Sequence, residues 1–238
     1  MALENVSFTT RPGEILGIVG KSGGGKSTLM KILRGMDSFD SGTILLDGIT
    51  ITPDSSDDVK RAQMAVTAIH LQRDFALWTE TALKNVVRRI HSRKTGYELL
   101  PIVSDEDYDE MYQEAMYYLR LVGLGDKAQH LATILSGGEK QRLLIARQLA
   151  KKPKILLLDE PATMACPATK QEVLDAIKNV NKELDLTIIV VSHLPEIHEY
   201  LAHRLIWLEK GEIVADGKPR QVLDQFMKGI GKMEPLAS

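Results

Sequence analysis

Short apolar runs alternate with longer helical patterns along this chain. The run Glu14–Val19 ends at Gly20, and a helical pattern, Thr28–Arg34, follows a group of glycines. Further apolar runs are at Ala65–Leu71, Lys154–Leu158, Thr187–Val191 and Arg204–Leu208. Because helical patterns separate the later runs, they are typical of a mostly parallel sheet that is covered by helices. The pattern therefore predicts an α/β protein.

Turn residues predict two pieces of antiparallel sheet beside the parallel one. Ser41-Gly42 and Asp47-Gly48 bracket a short strand, Thr43–Leu46, which indicates a small antiparallel β subdomain near the start of the chain. The turn Lys210-Gly211 and the following strand, Glu212–Ala215, predict a hairpin that closes the sheet.

From about residue 82 to 151 the pattern is helical. Ser104 and Asp107 are spaced as a capping box before a helix that is predicted to reach about Val122. One face of that helix carries a core stripe, Tyr108, Met111, Tyr112, Ala115 and Leu119. We expect a single domain with an inserted helical lobe, about 82–151, and a nucleotide-binding core formed by 1–81 and 152–238. An extra loop, His91–Val103, is expected to adapt the lobe to a partner.

Composition and charge narrow the classes of partner. With 30 basic and 32 acidic side chains the net charge is −2, so there is no basic field to hold a nucleic-acid backbone. Cys166 is the single cysteine, which excludes an intramolecular disulfide and favours a reducing compartment. The longest apolar runs are far shorter than a membrane span. We expect a cytoplasmic protein that does not insert into a membrane and does not bind nucleic acid, with any membrane role supplied by a partner.

The glycine-rich segment 20–27, called the phosphate loop below, matches G-x-x-x-x-G-K-[ST]. Backbone N–H groups of such a loop close around the α- and β-phosphates of ATP, Lys26 reaches the β- and γ-phosphate oxygens, and the Ser27 hydroxyl takes a Mg²⁺ position. A glycine-rich surface turn is the alternative, but the strand and helix lie where the motif needs them. The nucleotide-binding residues are predicted to be Gly20, Lys21, Ser22, Gly23, Gly24, Gly25, Lys26, Ser27 and Thr28.

Two acidic residues, Asp159 and Glu160, follow an apolar strand. A parallel sheet presents its carboxyl edge to the ligand, so these residues are expected at the nucleotide. Asp159 is predicted to hold Mg²⁺ through its water shell, and Glu160 to polarise the attacking water. Taken alone the pair is equally well read as two solvated loop acids, and the phosphate loop upstream favours the catalytic interpretation.

The segment LSGGEKQR, Leu135–Arg142, lies between the phosphate loop and the acidic pair. With this signature segment, nearly the whole chain resembles the ATP-binding-cassette (ABC) ATPases. The resemblance implies a P-loop NTPase fold, MgATP hydrolysis, and a head-to-tail pair of cassettes with ATP between the phosphate loop of one and the signature of the other. Ser136, Gly137 and Gly138 would then offer hydroxyl and backbone donors to the opposite γ-phosphate. An ordinary serine helix cap is the alternative.

The same resemblance gives roles to two further residues. Gln72 matches the glutamine loop, where the side chain senses Mg²⁺ and the lobe hinges, and His193 matches the switch histidine that contacts the γ-phosphate. The implied catalytic residues are Lys26, Glu160 and His193. The implied metal-binding residues are Ser27, Gln72 and Asp159. The other histidines are expected at the surface or with satisfied hydrogen bonds, namely His70, His91, His130, His198 and His203.

Two departures from the family pattern stand out. In the first, Cys166 occupies the position of an aspartate that normally couples the two ATP sites. In the second, the chain begins after the family's first strand, which carries an aromatic residue that stacks on adenine. We therefore expect a truncated start or weaker recognition of the base, with Phe8 in the core rather than as a substitute. Glu139 stands in place of the usual final glutamine of the signature, a common variation that is not expected to prevent binding.

The partner divides the function hypotheses. The runs DEPATMACPATKQEVLDAIKNVN and VVSHLPEIHEYLA are similar to component A2 of the methyl-coenzyme M reductase system, a soluble two-cassette protein associated with ATP-dependent activation of that nickel enzyme. This resemblance makes the reductase complex the first expected partner, beside a second cassette in a homodimer or tandem arrangement. The alternative is the ATP-binding subunit of a membrane transporter, whose cleft beside Gln72 would grip a permease.

Overall fold

The computed structural model of the chain describes residues 3–70, 76–96 and 104–231. Within these ranges the strands are β1 (Ile15–Val19), β2 (Ile44–Leu46), β3 (Ile49–Ile51), β4 (Thr67–His70), β5 (Ile155–Asp159), β6 (Thr187–Val191), β7 (Arg204–Glu209) and β8 (Glu212–Gly217). The helices are α1 (Lys26–Arg34), α2 (Asp57–Val66), α3 (Ala82–Thr95), α4 (Asp105–Leu121), α5 (Gly137–Leu149), α6 (Pro167–Leu184), α7 (Pro195–Leu201) and α8 (Pro219–Gly231).

The large sheet has six strands in the order β4-β5-β6-β1-β7-β8. All pairs are parallel except β7 with β8, which form the predicted closing hairpin. The carboxyl ends of β4, β5, β6, β1 and β7 therefore lie at one edge, where an α/β sheet binds its ligands. The predicted mostly parallel α/β fold is confirmed.

The small antiparallel sheet near the start is also present. Strands β2 and β3 pair with Leu46 opposite Ile49. Asp47 and Gly48 join them with φ angles of 48° and 79°, which is the left-handed geometry that a two-residue hairpin turn requires.

The strand prediction Ala65–Leu71 was wrong at its start. Ala65 and Val66 end helix α2, and β4 begins only at Thr67, while Leu71 lies outside the described residues. Helix α2 was missed because it has no apolar stripe: Gln63 is its single buried residue. Its signal is local, since the Ser56 hydroxyl accepts a hydrogen bond from the Val59 amide.

The helical segment contains α3, α4 and α5, and one boundary prediction failed there. The extra loop was placed at His91–Val103, but α3 continues to Thr95 and His91 is buried on it. His91 is buried beside Ile90 in α3. A single histidine in a sequence does not indicate that its position is buried, so the end of this helix was not predicted. Residues 97–103, the remainder of the predicted loop, lie outside the described residues.

Helix α4 buries the face that the sequence predicted to be in the core. The Ser104 hydroxyl accepts a hydrogen bond from the Asp107 amide at 3.2 Å, and the helix runs to Leu121. Met111, Ala115 and Leu119 are buried, and the two tyrosines of the stripe are partly buried against the same cluster.

One apolar cluster joins the helices to the sheet. It includes Val86 of α3, Leu119 of α4, Leu144 of α5 and Leu156 of β5. A second cluster on the other face of the sheet packs α1 against β1, β5 and β6, and Phe8 is partly buried against it. None of the helices in the described part of the chain is long and apolar enough to cross a membrane.

Candidate active site

The phosphate loop joins the end of β1 to the start of α1 at the carboxyl edge of the sheet. Gly23 and Gly25 have φ angles of 79° and 100°, which favour glycine. A Cβ atom on Gly20 would lie 2.0 Å from the Leu208 carbonyl oxygen, so the loop packs directly on the end of β7. The Gly211 amide donates to the Gly24 carbonyl oxygen at 3.2 Å. The β7–β8 hairpin therefore supports the phosphate loop from behind. The sequence did not predict this support, because the support depends on backbone contacts.

Lys26 is half-buried inside the loop that it closes. Its ammonium donates to the carbonyl oxygens of Gly20 and Lys21, at 2.7 and 2.8 Å. Burial lowers the pKa of Lys26, and the charges of Glu160 and Asp159 oppose that shift. Ser27 and Thr28 follow in the first turn of α1, where the unpaired backbone N–H groups of a helix favour an anion.

Asp159 is the last residue of β5, and Glu160 follows it. The charges of both carboxylates act on Lys26 of the phosphate loop. Burial raises the pKa of Asp159, and the neighbouring Glu160 charge raises it further. Lys26 and His70 act in the opposite direction. The predicted residues Lys26, Asp159 and Glu160 thus form one charge cluster although they are far apart in sequence.

The Glu160 carboxylate is held by the segment that follows β6. One oxygen accepts from the His193 amide at 2.8 Å and from His193 Nδ1 at 2.7 Å, and the other accepts from the Ser192 hydroxyl at 2.9 Å. Because the carboxylate is the acceptor, Nδ1 of His193 carries the proton. Glu160 itself has a φ of 51°, an uncommon backbone conformation for a residue with a side chain. The structure therefore brings the predicted base and the predicted switch histidine into direct contact.

Ser192 and His198 are the functional neighbours that sequence reasoning missed. His198 Nε2 donates to the Ser192 carbonyl oxygen at 2.8 Å from a fully buried position on α7. Burial lowers the pKa of His198 to about 4, so the imidazole is neutral and supports the Ser192–His193 segment as a fixed donor. Ser192 was visible as the neighbour of His193, whereas His198 gave no signal.

The signature segment lies at the start of α5, and its serine is a helix cap. The Ser136 hydroxyl accepts from the Glu139 amide at 3.2 Å, and the Glu139 carboxylate accepts from the Ser136 amide at 2.8 Å. Glu139 also pairs with Lys127 at 2.6 Å. The glutamate that replaces the family's glutamine is thus used in local structure.

The two signature glycines pack on the segment after Glu160. A Cβ atom on Gly137 would lie 1.9 Å from the Met164 carbonyl oxygen, and one on Gly138 would lie 2.8 Å from Thr169 Oγ1. These described contacts connect the signature to residues 164–169 and not to the phosphate loop of the same chain. Gln72, the other predicted contact of nucleotide and metal, lies outside the described residues.

Cys166 is exposed and immediately precedes α6. Its Sγ atom lies 3.4 Å from Thr169 Oγ1, and this hydrogen bond lowers the pKa of the thiol. The position is on the same segment that the signature glycines contact, which is where a residue that couples two ATP sites is expected.

The donors at the sheet edge fit Mg²⁺ bound together with ATP. Asp159 offers carboxylate oxygen and Ser27 a hydroxyl, the oxygen ligands that this ion prefers. Burial and the neighbouring Glu160 carboxylate raise the pKa of Asp159, a cost that a divalent cation would relieve. Within the described residues no group of three or more histidine, cysteine, aspartate or glutamate side chains could hold a metal.

Two surface cavities lie away from this edge. One, of about 640 Å³, is lined by Arg11, Glu14, His203 and Lys218, among others. The other, of about 380 Å³, lies beside the end of α1, next to Met36 and Gln63. Neither of these two cavities is lined by a described candidate site residue.

Comparison with known proteins gives a consistent family. Residues 3–163 match the protein family described as ABC transporter. The chain is 50% identical, over 98% of its length, to the uncharacterized ABC transporter ATP-binding protein MJ1662 of Methanocaldococcus jannaschii, and it spans 40% of that relative. It is 35% identical to the phosphonates import ATP-binding protein PhnC of Bdellovibrio bacteriovorus, covering 96% of this chain and 87% of that protein.

A solved structure agrees with these relatives. The dimeric post-hydrolysis state of the ATP-binding cassette MJ0796, bound to ADP and Pi, superposes with a TM-score of 0.74 and 31% sequence identity. The match covers 92% of this chain and 91% of that one.

His198 predicts a pH dependence of stability that one variant isolates. The pKa of His198 is about 4 in the folded chain and 6.5 in the unfolded chain. Between these two pH values the imidazole is therefore protonated in the unfolded chain and neutral in the folded chain. Stability from neutral His198 is present above pH 6.5 and is lost as the pH falls towards 4, by about 3 kcal/mol in total. His198→Gln keeps a donor for Ser192 and does not titrate. Urea unfolding at both ends of this range is therefore expected to give a smaller loss for the variant than for the wild type, and equal losses would contradict the assignment.

Proposed function

The chain belongs to the ABC transporter family, as an ATPase domain of the ATP-binding-cassette type, and from that premise we propose that it hydrolyses MgATP in a head-to-tail pair of cassettes and thereby drives a conformational change in a partner protein. The observation that carries this proposal is the Glu160 carboxylate, which three donors from Ser192 and His193 hold at the edge of the sheet beside Lys26 and Asp159.

Each residue has one task in this proposal. The phosphate-loop amides and Lys26 bind the β- and γ-phosphates. Asp159, Ser27 and Gln72 would hold Mg²⁺, which would neutralise charge on the transferred phosphoryl group. Glu160 orients water and accepts its proton as the water oxygen attacks the γ-phosphorus in line and the bond to ADP breaks. His193 fixes the carboxylate and faces the γ-phosphate. Preorganised donors of this kind need no rearrangement during the reaction, which is why they accelerate it.

The arrangement of the signature supports a composite site between two cassettes. Gly137 and Gly138 pack on residues 164–169 of their own chain, and Ser136 bonds Glu139 at the start of α5. A second cassette would bring its own signature donors to the phosphate loop. The dimeric ADP-bound relative, at 31% identity, supports this arrangement. We propose that the second cassette is either another copy of this chain or a tandem domain.

For the partner, we propose a membrane permease, with this chain as the ATP-binding subunit on the cytoplasmic side of the membrane. The support is that the relatives reported above are named as transporter ATP-binding proteins, one of them for import of phosphonates. This reverses the order given by the sequence pattern, which ranked the component A2 function first. No relative reported above carries the component A2 name, so that function becomes the second candidate. One observation favours it: the chain spans 40% of MJ1662, which leaves room there for a second cassette.

Glu160→Gln tests the proposed base. Without the proton acceptor, the hydrolysis rate is expected to fall by a factor of about 10² to 10⁴, because general bases contribute that much. MgATP binding is expected to remain, since the phosphate loop is intact. Phosphate release and equilibrium nucleotide binding measure the two properties. Glu183→Gln, an exposed glutamate on α6, is the matched control. Hydrolysis by Glu160→Gln at the wild-type rate would remove Glu160 from this role.

The Glu160→Gln chain, closed on MgATP, also distinguishes the two partners. Captured from an extract of the source organism and identified by mass spectrometry, a multi-span membrane protein is the expected partner. Recovery of soluble nickel-reductase subunits instead would overturn the transporter proposal and restore the component A2 function to first place.

A further inference from the structure

A buried histidine joins the sheet to the helix that carries the signature. His70 is the last residue of β4 and lies opposite Leu158 of β5, the residue before Asp159. Its Nε2 atom donates to the Gln141 carbonyl oxygen, Oε1, at 2.6 Å. Both side chains are fully buried, with 0% exposure. Gln141 lies one helical turn after Gly137 on α5, so the hydrogen bond spans from the acidic strand ends to the signature.

The buried amide of Gln141 carries a free-energy cost. The Gln141 amide nitrogen is buried and has no hydrogen-bond partner among the described residues. A buried donor without an acceptor is unfavourable, and replacing both members of a buried polar pair by apolar groups is often neutral or stabilising. The elements that carry the pair also contribute to one apolar cluster, through Ala68 of β4 and Leu144 of α5. Packing alone therefore does not explain a histidine and a glutamine at these two positions.

A hydrogen bond supplies what apolar packing does not, which is direction. The apolar contacts of α5 with the sheet, such as those of Leu143 and Leu144, resist separation but depend weakly on a small slide along the helix axis. The bond from His70 to Gln141 fixes the position of α5 along that axis, because it weakens steeply when its distance and angle change. Gly137 begins α5 and Ser136 is its N-cap residue, so this bond adds an axial restraint to the contact between Gly137 and Met164.

We propose that His70 is a positioning residue, which through its hydrogen bond to Gln141 fixes the signature end of α5 relative to the strand ends that carry Asp159 and Glu160. The inference rests on the proposed function, because the position of the signature affects hydrolysis only if it completes the ATP site of a second cassette. It concerns the closed pair of cassettes and leaves the binding of nucleotide to the phosphate loop unchanged.

Four variants test this inference. His70→Leu and Gln141→Leu each leave one buried polar partner of this hydrogen bond behind and are expected to lower the Tm. The double variant, with both leucines, removes both members of the hydrogen bond, and its Tm shows how much stability the pair contributes. In that double variant we expect unchanged affinity for MgATP but a kcat lower by about tenfold or more, because small misplacements of catalytic groups have effects of that size. His70→Gln retains a donor for Gln141 and is expected to recover much of the kcat.

Dimer formation gives a readout that a purely structural role would not change. In the Glu160→Gln background, the leucine pair is expected to weaken MgATP-dependent dimerisation by about tenfold, as measured by light scattering during gel filtration. Gln63→Leu is the matched control, since it removes another buried amide, which bonds the Ile32 and Leu33 carbonyl oxygens, and is expected to lower the Tm without affecting dimerisation.

Two results would overturn the inference, and they are distinguishable. If the leucine pair hydrolyses MgATP and dimerises like the wild type, whatever its Tm, His70 is structural and the proposed function stands. If the Glu160→Gln chain with His70 and Gln141 intact shows no MgATP-dependent dimer, the proposed head-to-tail pair fails and the inference fails with it.

Discussion

Parallel pairing of β5, β6 and β1 is the constraint on which the site depends. It brings the ends of three sequence-distant strands, and so the phosphate loop, the acidic pair and the Ser192–His193 segment, to one edge. The arrangement has unfavourable features: a left-handed Glu160, an aspartate whose pKa is raised by burial, and a buried neutral His198. Such features persist at functional sites because the surrounding fold over-determines them, here through two apolar clusters on the faces of the sheet.

Backbone packing, more than side-chain chemistry, explains the glycines of both motifs. Gly20 lies against the Leu208 carbonyl and Gly137 against the Met164 carbonyl, and neither position has space for a Cβ atom. In the phosphate loop this contact fixes the loop on β7. In the signature it fixes the start of α5 on the segment that contains Cys166. The signature therefore packs on the segment that follows the acidic pair and contains Cys166, all within one chain. The proposed ATP site, in contrast, requires two chains or cassettes.

The sequence predicted the features whose signals are local. Periodicity and flanking glycines located the strands around the phosphate loop, and the Asp47-Gly48 turn predicted the small sheet. The sequence did not predict α2, whose buried face holds only Gln63, or the continuation of α3 through His91, because neither carries an apolar stripe there. The roles of Ser192, His198 and the His70–Gln141 pair depend on contacts across the sheet, which a single sequence does not display. The choice of partner needed comparison with relatives, since the residues that carry ATP chemistry are shared by both candidate functions.

The central claim is that one ATP site is built from two cassettes, and mixing two inactivated chains tests it most directly. Lys26→Ala removes the phosphate-loop ammonium, and Ser136→Arg blocks the signature while leaving the phosphate loop intact. Each chain alone is expected to be unable to hydrolyse MgATP, with Ser136→Arg still binding it. An equal mixture is expected to regain part of the wild-type hydrolysis rate, because the intact loop of one chain meets the intact signature of the other. Wild-type hydrolysis by Ser136→Arg alone, or a mixture as inactive as its components, would contradict the account.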